Sequence, residues 1–215
     1  MSPRKVLVLG ATGGTGQQLV AQALQQGHIV TVLVRNPQQL AAASGHLRVL
    51  TGSVTEGDTA LATAVRDQDV VISALGVGKS FKSGGLMAQC MPRIVHAMEH
   101  QGVRRLIFTS AFGVGETHRD VPLIPRIFIR LLLGDIYRDK AVGEAQLRSS
   151  NLDWTLVYPS GLIDGPATGQ CRAGERLALR GFPRITRGDV AAFLLRQIDD
   201  ATYLRKGVLI SGAQS

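Results

Sequence analysis

At 215 residues the chain can bury a full core without the help of a disulfide or a structural metal. Its two cysteines stand far apart and lack partners at metal-ligand spacing, which excludes a disulfide scaffold and points to a reduced, cytoplasmic setting. The formal net charge of +8 comes with only 5% aromatic residues and no Lys/Arg block, so a small anionic ligand explains it better than a nucleic acid does.

The first element in the chain is the most informative. Val6, Leu7, Val8 and Leu9 form an apolar run too short for a helix and right for a strand buried on both faces. The run also stops too soon for a signal peptide behind Arg4-Lys5. Gly10, Gly13 and Gly16 follow at G-x-x-G-x-x-G spacing, and a helical stripe of Leu19, Val20, Ala23 and Leu24 opens directly behind them. Strand, glycine turn and helix N-terminus make an anion site. Backbone N–H groups and the helix dipole point at a pyrophosphate, and missing Cβ atoms let the backbone close on it.

Residues 28–34 read as a second buried strand that runs into Arg35. In this arrangement the position after the second strand lies beside the adenosine ribose. An acid there accepts from the 2′-hydroxyl of NAD, whereas an arginine suits the 2′-phosphate of NADP. The first carboxylate in the chain is Glu56, so Arg35 favours NADP(H). The bland alternative is a solvated arginine at a strand end.

Alternation continues to the far end. Asn36 caps a helix with Pro37 in its first turn, continuing over 38–43. Residues 47–50 form the third strand, and Thr55 with Asp58 makes a capping-box-like pair before a helix carrying Leu61, Ala64 and Val65. A strand at 69–75, a helix at 86–100, a strand at 105–110 and a long helix within 127–149 follow, with Gly134 a point of interruption. The sixth strand is 154–158. Thr186 and Asp189 cap a last helix with Val190, Phe193, Leu194 and Ile198 inward, and 207–211 closes the sheet.

Strands separated by helices imply right-handed crossovers and an α/β, Rossmann-like, doubly wound, mainly parallel sheet in three α/β/α layers. No linker divides the chain, so residues 1–215 are expected to form one NAD(P)-binding domain, with 161–184 an irregular insertion shaping a substrate pocket. No stretch approaches the ~18 apolar residues of a membrane span. The apolar segment 124–133, with Arg126 and Arg130, is expected to pack in the core or at a dimer contact and not on a membrane. The five histidines form no metal-ligand motif, and a metal site is not expected.

The glycine turn at 10–16, the strand end at 107–115 and the segment 151–159 together resemble the atypical short-chain dehydrogenase/reductases. The nearest group is the NmrA-like and flavin/biliverdin-reductase-like NAD(P)-binding proteins, and the likeness covers essentially the whole chain. It implies a phosphate loop of Gly10, Thr12, Gly13, Gly14, Thr15 and Gly16, with Arg35 on the 2′-phosphate. Ser53 and Val54 stand where the family often has an acid for the adenine amino group. Ala74, Leu75 and Gly76 would lie beneath the adenine-ribose side, and Tyr158, Pro159 and Ser160 would approach the nicotinamide.

The catalytic positions depart from the wider superfamily, which uses Tyr-x-x-x-Lys on one helix. There the hydroxyl donates a proton to the carbonyl while the ammonium lowers its pKa and holds the ribose. Lys140 matches the lysine, but Ile136 stands four residues before it and Tyr137 is displaced by one position. A helix turns ~100° per residue, so Tyr137 cannot simply assume that role. Lys140 reads either as a ribose ligand or as one rung of an i, i+4 ladder with Glu144 and Arg148 on a solvated face. Ser110, at the carboxyl end of the fifth strand, reads either as a contact for acceptor or nicotinamide or as a turn cap.

Two functions fit. One is an NADPH-dependent oxidoreductase passing hydride to a small conjugated acceptor such as a flavin, quinone or tetrapyrrole-like molecule, as a monomer or homodimer. The other is a non-catalytic NADP(H)-binding regulator that senses redox state.

Overall fold

Alternation along a strand shows on which faces it is covered. In the computed structural model, which describes residues 2–40, 44–78, 80–120, 131–179, 181 and 183–213, β1 (Lys5–Leu9) sends Val6 and Val8 to one side and Leu7 and Leu9 to the other, all of them buried. Each side therefore carries its own core. Helices α1 (Gly14–Gln25) and α5 (Arg187–Arg196) cover the first, through Leu19, Val20, Val190, Phe193 and Leu194. Helices α2 (Asp58–Val65), α3 (Leu86–Gln101) and α4 (Gly134–Arg148) cover the second, through Leu61, Met91, Ile94 and Leu147.

Seven parallel strands make up most of the sheet: β1, β2 (Ile29–Val34), β3 (Leu47–Thr51), β4 (Val70–Ser73), β5 (Arg105–Thr109), β6 (Asp153–Pro159) and β10 (Lys206–Ser211). With β8 (Arg172–Gly174) at the far edge, the order is β3-β2-β1-β4-β5-β6-β10-β8. The chain reverses its direction of travel between β1 and β4, the switch point at which open parallel sheets bind ligands beyond their carboxyl ends. The fold is the Rossmann-like three-layer α/β/α arrangement expected from the sequence.

Four local expectations differ from what is observed. Residues 37–39 form a single 3₁₀ turn, capped by Asn36 Oδ1 on Gln38 N–H at 3.0 Å, in place of a helix; residues 41–43 lie outside the described set. Thr55 does not cap α2: its hydroxyl pairs with Ser53 Oγ at 2.9 Å, and Gly57, at φ +70°, turns the chain into the helix. Strand β10 does not close the sheet. The short β8 (Arg172–Gly174) runs antiparallel beside it, with Ala173 opposite Ile210. The 161–184 segment is more ordered than expected, since β7 (Gly161–Ile163) pairs in parallel with β9 (Arg184–Thr186). The expected interruption at Gly134 is present: residues 131–132 are helical, 133 is a turn, and α4 begins at Gly134. Residues 121–130, most of the apolar segment 124–133, lie outside the described set.

Candidate cofactor and active site

The glycine loop divides its glycines between fold and ligand. Gly10 sits at φ +82°, and a Cβ there would come within 2.6 Å of the Ala74 carbonyl oxygen. A Cβ on Gly16 would run into the Gly10 carbonyl. Both glycines are thus required for the turn to pack. Gly13 is different: its φ of −73° suits any residue, and an added Cβ would meet nothing nearer than the Gly10 oxygen at 3.4 Å. The fold gives no reason for glycine at this exposed position. A ligand passing close to the backbone would require one. Helix α1 also begins with no side-chain cap and no acidic residue in its first turn, leaving its N-terminal dipole uncompensated.

The remaining expected cofactor residues follow the carboxyl ends of β1 to β4. Thr12 is half-buried and Thr15 buried at the start of α1. Arg35 follows β2 on the exposed side and forms no ion pair with a described residue. Ser53 is half-buried with its hydroxyl on Thr55, while Val54 is buried in the second core. Ala74 donates its N–H to the Leu9 carbonyl at 2.9 Å, which brings the end of β4, with Leu75 and Gly76, against the end of β1.

A second group gathers at the carboxyl ends of β5 and β6. Ser110 Oγ donates to Glu144 Oε1 at 2.5 Å, and Tyr158 OH donates to Glu144 Oε2 at 2.8 Å. Arg148 reaches the Tyr158 oxygen at 3.3 Å and lies over the Trp154 ring. Lys140 Nζ donates to the Thr109 carbonyl at 3.2 Å and sits above the Phe108 ring. The Lys140, Glu144 and Arg148 ladder therefore faces the sheet and not the solvent: Glu144 is only 2% exposed.

Burial pushes the Glu144 carboxyl above the usual carboxylate range, against the hydrogen bonds from Ser110 and Tyr158 and the charges of Arg148 and Lys140. Burial also pulls the Lys140 ammonium down to about 8, although Glu144 and Asp139 oppose the shift. Tyr158 moves up through burial and the neighbouring Glu144 charge. The Tyr158 side chain is turned inward onto Glu144, so the expected approach to a nicotinamide would fall to backbone atoms at this position. Pro159 accepts from Phe112 N–H at 3.1 Å, and Ser160 Oγ donates to Ser211 Oγ at 3.2 Å.

Tyr137 does not point at Ser110. Its hydroxyl donates to the Phe112 carbonyl at 3.1 Å, in keeping with its one-residue displacement from the tyrosine register. Three participants were not foreseen in these roles. Glu144 binds both Ser110 and Tyr158, Asp139 accepts from Met87 and Ala88 N–H at 2.9 and 3.0 Å to cap α3, and Arg187 lies across Gly14. The one signal that could have revealed Glu144 was its spacing of four from Lys140.

A glycine loop on the first strand with a switch point beside it defines a Rossmann-like fold of the NAD(P)-binding kind. The model of a family described as NAD(P)H-binding matches residues 10–201, and the chain belongs to that family. An uncharacterized chloroplastic protein of Arabidopsis thaliana is 29% identical over 178 residues, 77% of this chain, and this chain spans 62% of that protein's length. Among solved structures, the anaerobillin reductase ChuY of Escherichia coli O157:H7 aligns over 98% of both chains, with a TM-score of 0.81 at 22% identity. A short-chain dehydrogenase/reductase of Veillonella parvula DSM 2008, in complex with NADP, aligns over 100% of this chain and 96% of its own. Its TM-score is 0.79 at 22% identity. Among the described residues no group of His, Cys, Asp or Glu could hold a metal, and no helix is long and apolar enough to cross a membrane.

Proposed function

We propose that the protein is an NADPH-dependent reductase that passes hydride to a flat, conjugated acceptor of the flavin, quinone or tetrapyrrole-like class. The observation that carries this reading is the lack of a phenolic acid at the site. Ile136 occupies the tyrosine register, and Tyr137 and Tyr158 spend their hydroxyls on Phe112 O and Glu144. A simple carbonyl needs a positioned acid as hydride arrives, whereas a conjugated acceptor spreads the charge and can take its proton from solvent. The fold likeness to ChuY supports a tetrapyrrole-like acceptor within this class.

NADPH supplies the hydride when bound. The chain's part is to hold and orient. The α1 N-terminus and the Gly13 cradle take the pyrophosphate, and Arg35 takes the 2′-phosphate through a charge-assisted contact. Lys140, fixed by Thr109 O, presents its ammonium toward the ribose. Ser110, its proton given to Glu144, offers lone pairs that can accept from the nicotinamide carboxamide or from the acceptor. The 161–184 segment shapes the acceptor side.

The test is NADPH oxidation with FMN, riboflavin, a quinone and biliverdin in turn, followed by reduced-nicotinamide absorbance. At least one acceptor accelerates oxidation in the wild type. Ser110→Ala and Lys140→Ala each slow it through lost positioning, and Tyr137→Phe leaves it nearly unchanged. Arg35→Ala erases an NADPH-over-NADH preference of at least roughly tenfold. If no acceptor is reduced while NADP(H) binds tightly and changes affinity for a partner protein, the chain is a redox-sensing regulator instead.

A further inference from the structure

Arg187 is placed where a cation has little reason to be. It is the first residue of α5, and its side chain crosses to the first turn of α1. A Cβ on Gly14 would come within 2.7 Å of Arg187 Cδ, and the guanidinium reaches Thr15 Oγ1 at 3.5 Å. Two helix N-termini, each with partial positive charge, thus converge on a guanidinium. Compensation is thin. No acid stands in the first turn of α1, and Asp189 of α5 is taken up by Thr168, Gly169 and Thr186. Among the described residues the one acid paired with Arg187 is Asp164, at 2.7 Å from Nε, and its side chain is 94% exposed. An exposed ion pair of this kind contributes little and exchanges readily.

We infer that Arg187 is a ligand for the cofactor's pyrophosphate, held ready over the α1 N-terminus by Asp164 and exchanging that carboxylate for phosphate oxygens when the dinucleotide binds. The inference deepens the cofactor reading and does not depend on the acceptor. A pyrophosphate at the uncapped end of α1 would supply the negative charge this corner lacks. The missing Cβ at Gly14 provides the groove along which the Arg187 stem runs. The planar fork of a guanidinium matches two phosphate oxygens at once. Arg35 and Arg187 then divide the anion between them: the first reads the 2′-phosphate, and the second reads the group common to NADP and NAD.

Titrations of NADPH, NADH and adenosine 2′-monophosphate into the full chain test this division. Arg187→Gln, which keeps a stem over Gly14, weakens NADPH and NADH alike by about tenfold. It leaves the monophosphate, which has neither phosphate of the pyrophosphate, unchanged. Arg187→Lys keeps the charge without the fork and loses about threefold. Asp164→Asn leaves dinucleotide affinity unchanged or tighter, since it removes the competing anion. Circular dichroism and the unfolding midpoint confirm that each variant is folded. A loss confined to NADPH would move Arg187 to the 2′-phosphate and overturn the inference. Equal losses in Asp164→Asn and Arg187→Gln would overturn it too, by making the pair a structural brace. Wild-type binding with an indifferent Arg187→Gln rejects it alone, whereas a wild type that binds neither dinucleotide rejects the cofactor reading with it.

Discussion

Three residues of the site each yield a measurement. Gly13 has backbone angles open to any residue and room for a Cβ. Gly13→Val should therefore leave the unfolding midpoint within a few degrees of wild type yet abolish binding of both dinucleotides, because the branched side chain fills the pyrophosphate approach. Normal NADPH affinity in the folded variant would place the cofactor elsewhere. Lys140 carries its consequence in pH. Its folded pKa of about 8 lies below its unfolded value of 10.5, so between these limits the unfolded chain holds more protons. Stability contributed by this residue rises from pH 8 toward 10.5 and is flat below 8. In urea melts, Lys140→Met should lack that rise, and an identical alkaline profile in wild type and variant would show that the ammonium is not desolvated. Glu144 works in the opposite sense. Its raised folded pKa favours the protonated, folded form, so stability falls as pH climbs from the normal carboxylate value through the raised one, and Glu144→Gln should flatten that fall.

At the scale of elements, α4 positions two sites with one helix. Asp135 and Asp139 accept backbone N–H groups from Ser83, Met87 and Ala88 around the start of α3, and the next turns carry Lys140, Glu144 and Arg148 beneath β5 and β6. Asp139 is buried and takes two of those donors. Asp139→Ala should cost about 1–3 kcal/mol in urea unfolding, and Asp135→Ala, at an exposed position, less than about 1 kcal/mol. Equal costs would mean that the Asp139 cap is not the stronger tie. The elements also show what could be read in advance. The glycine loop and the seven parallel strands named from the sequence were legible because apolar runs, glycine spacing and helical stripes are local signals. The Lys140–Glu144–Arg148 ladder was legible only as a shared face: a spacing of four says which side chains align and nothing about which way they point. Burial of that face was decided by Phe108, Trp154 and Tyr158, which stand on strands and not on the helix itself. Strands β7, β8 and β9 are three residues each, too short to show a period, and the Thr55–Asp58 pair gave way to Gly57 because that residue turns the chain at positive φ.

For the whole molecule, the sheet concentrates chemistry at one rim and leaves its two flanks to manage themselves. At one flank, β3 is a short strand with Arg48 and Val49 exposed. At the other, β10 is buried over four consecutive residues and would be a strong template for a foreign strand if its outer backbone groups were free. Strand β8 occupies them. Being only Arg172–Gly174 and antiparallel, it satisfies β10 while offering little that another chain could extend. The inserted segment then acts as a stopper against edge-to-edge polymerisation. Ala173→Pro, which loosens the stopper and leaves the cofactor loop untouched, should keep dinucleotide affinity while light scattering grows with concentration; a variant as monodisperse as wild type would assign β10 some other guard.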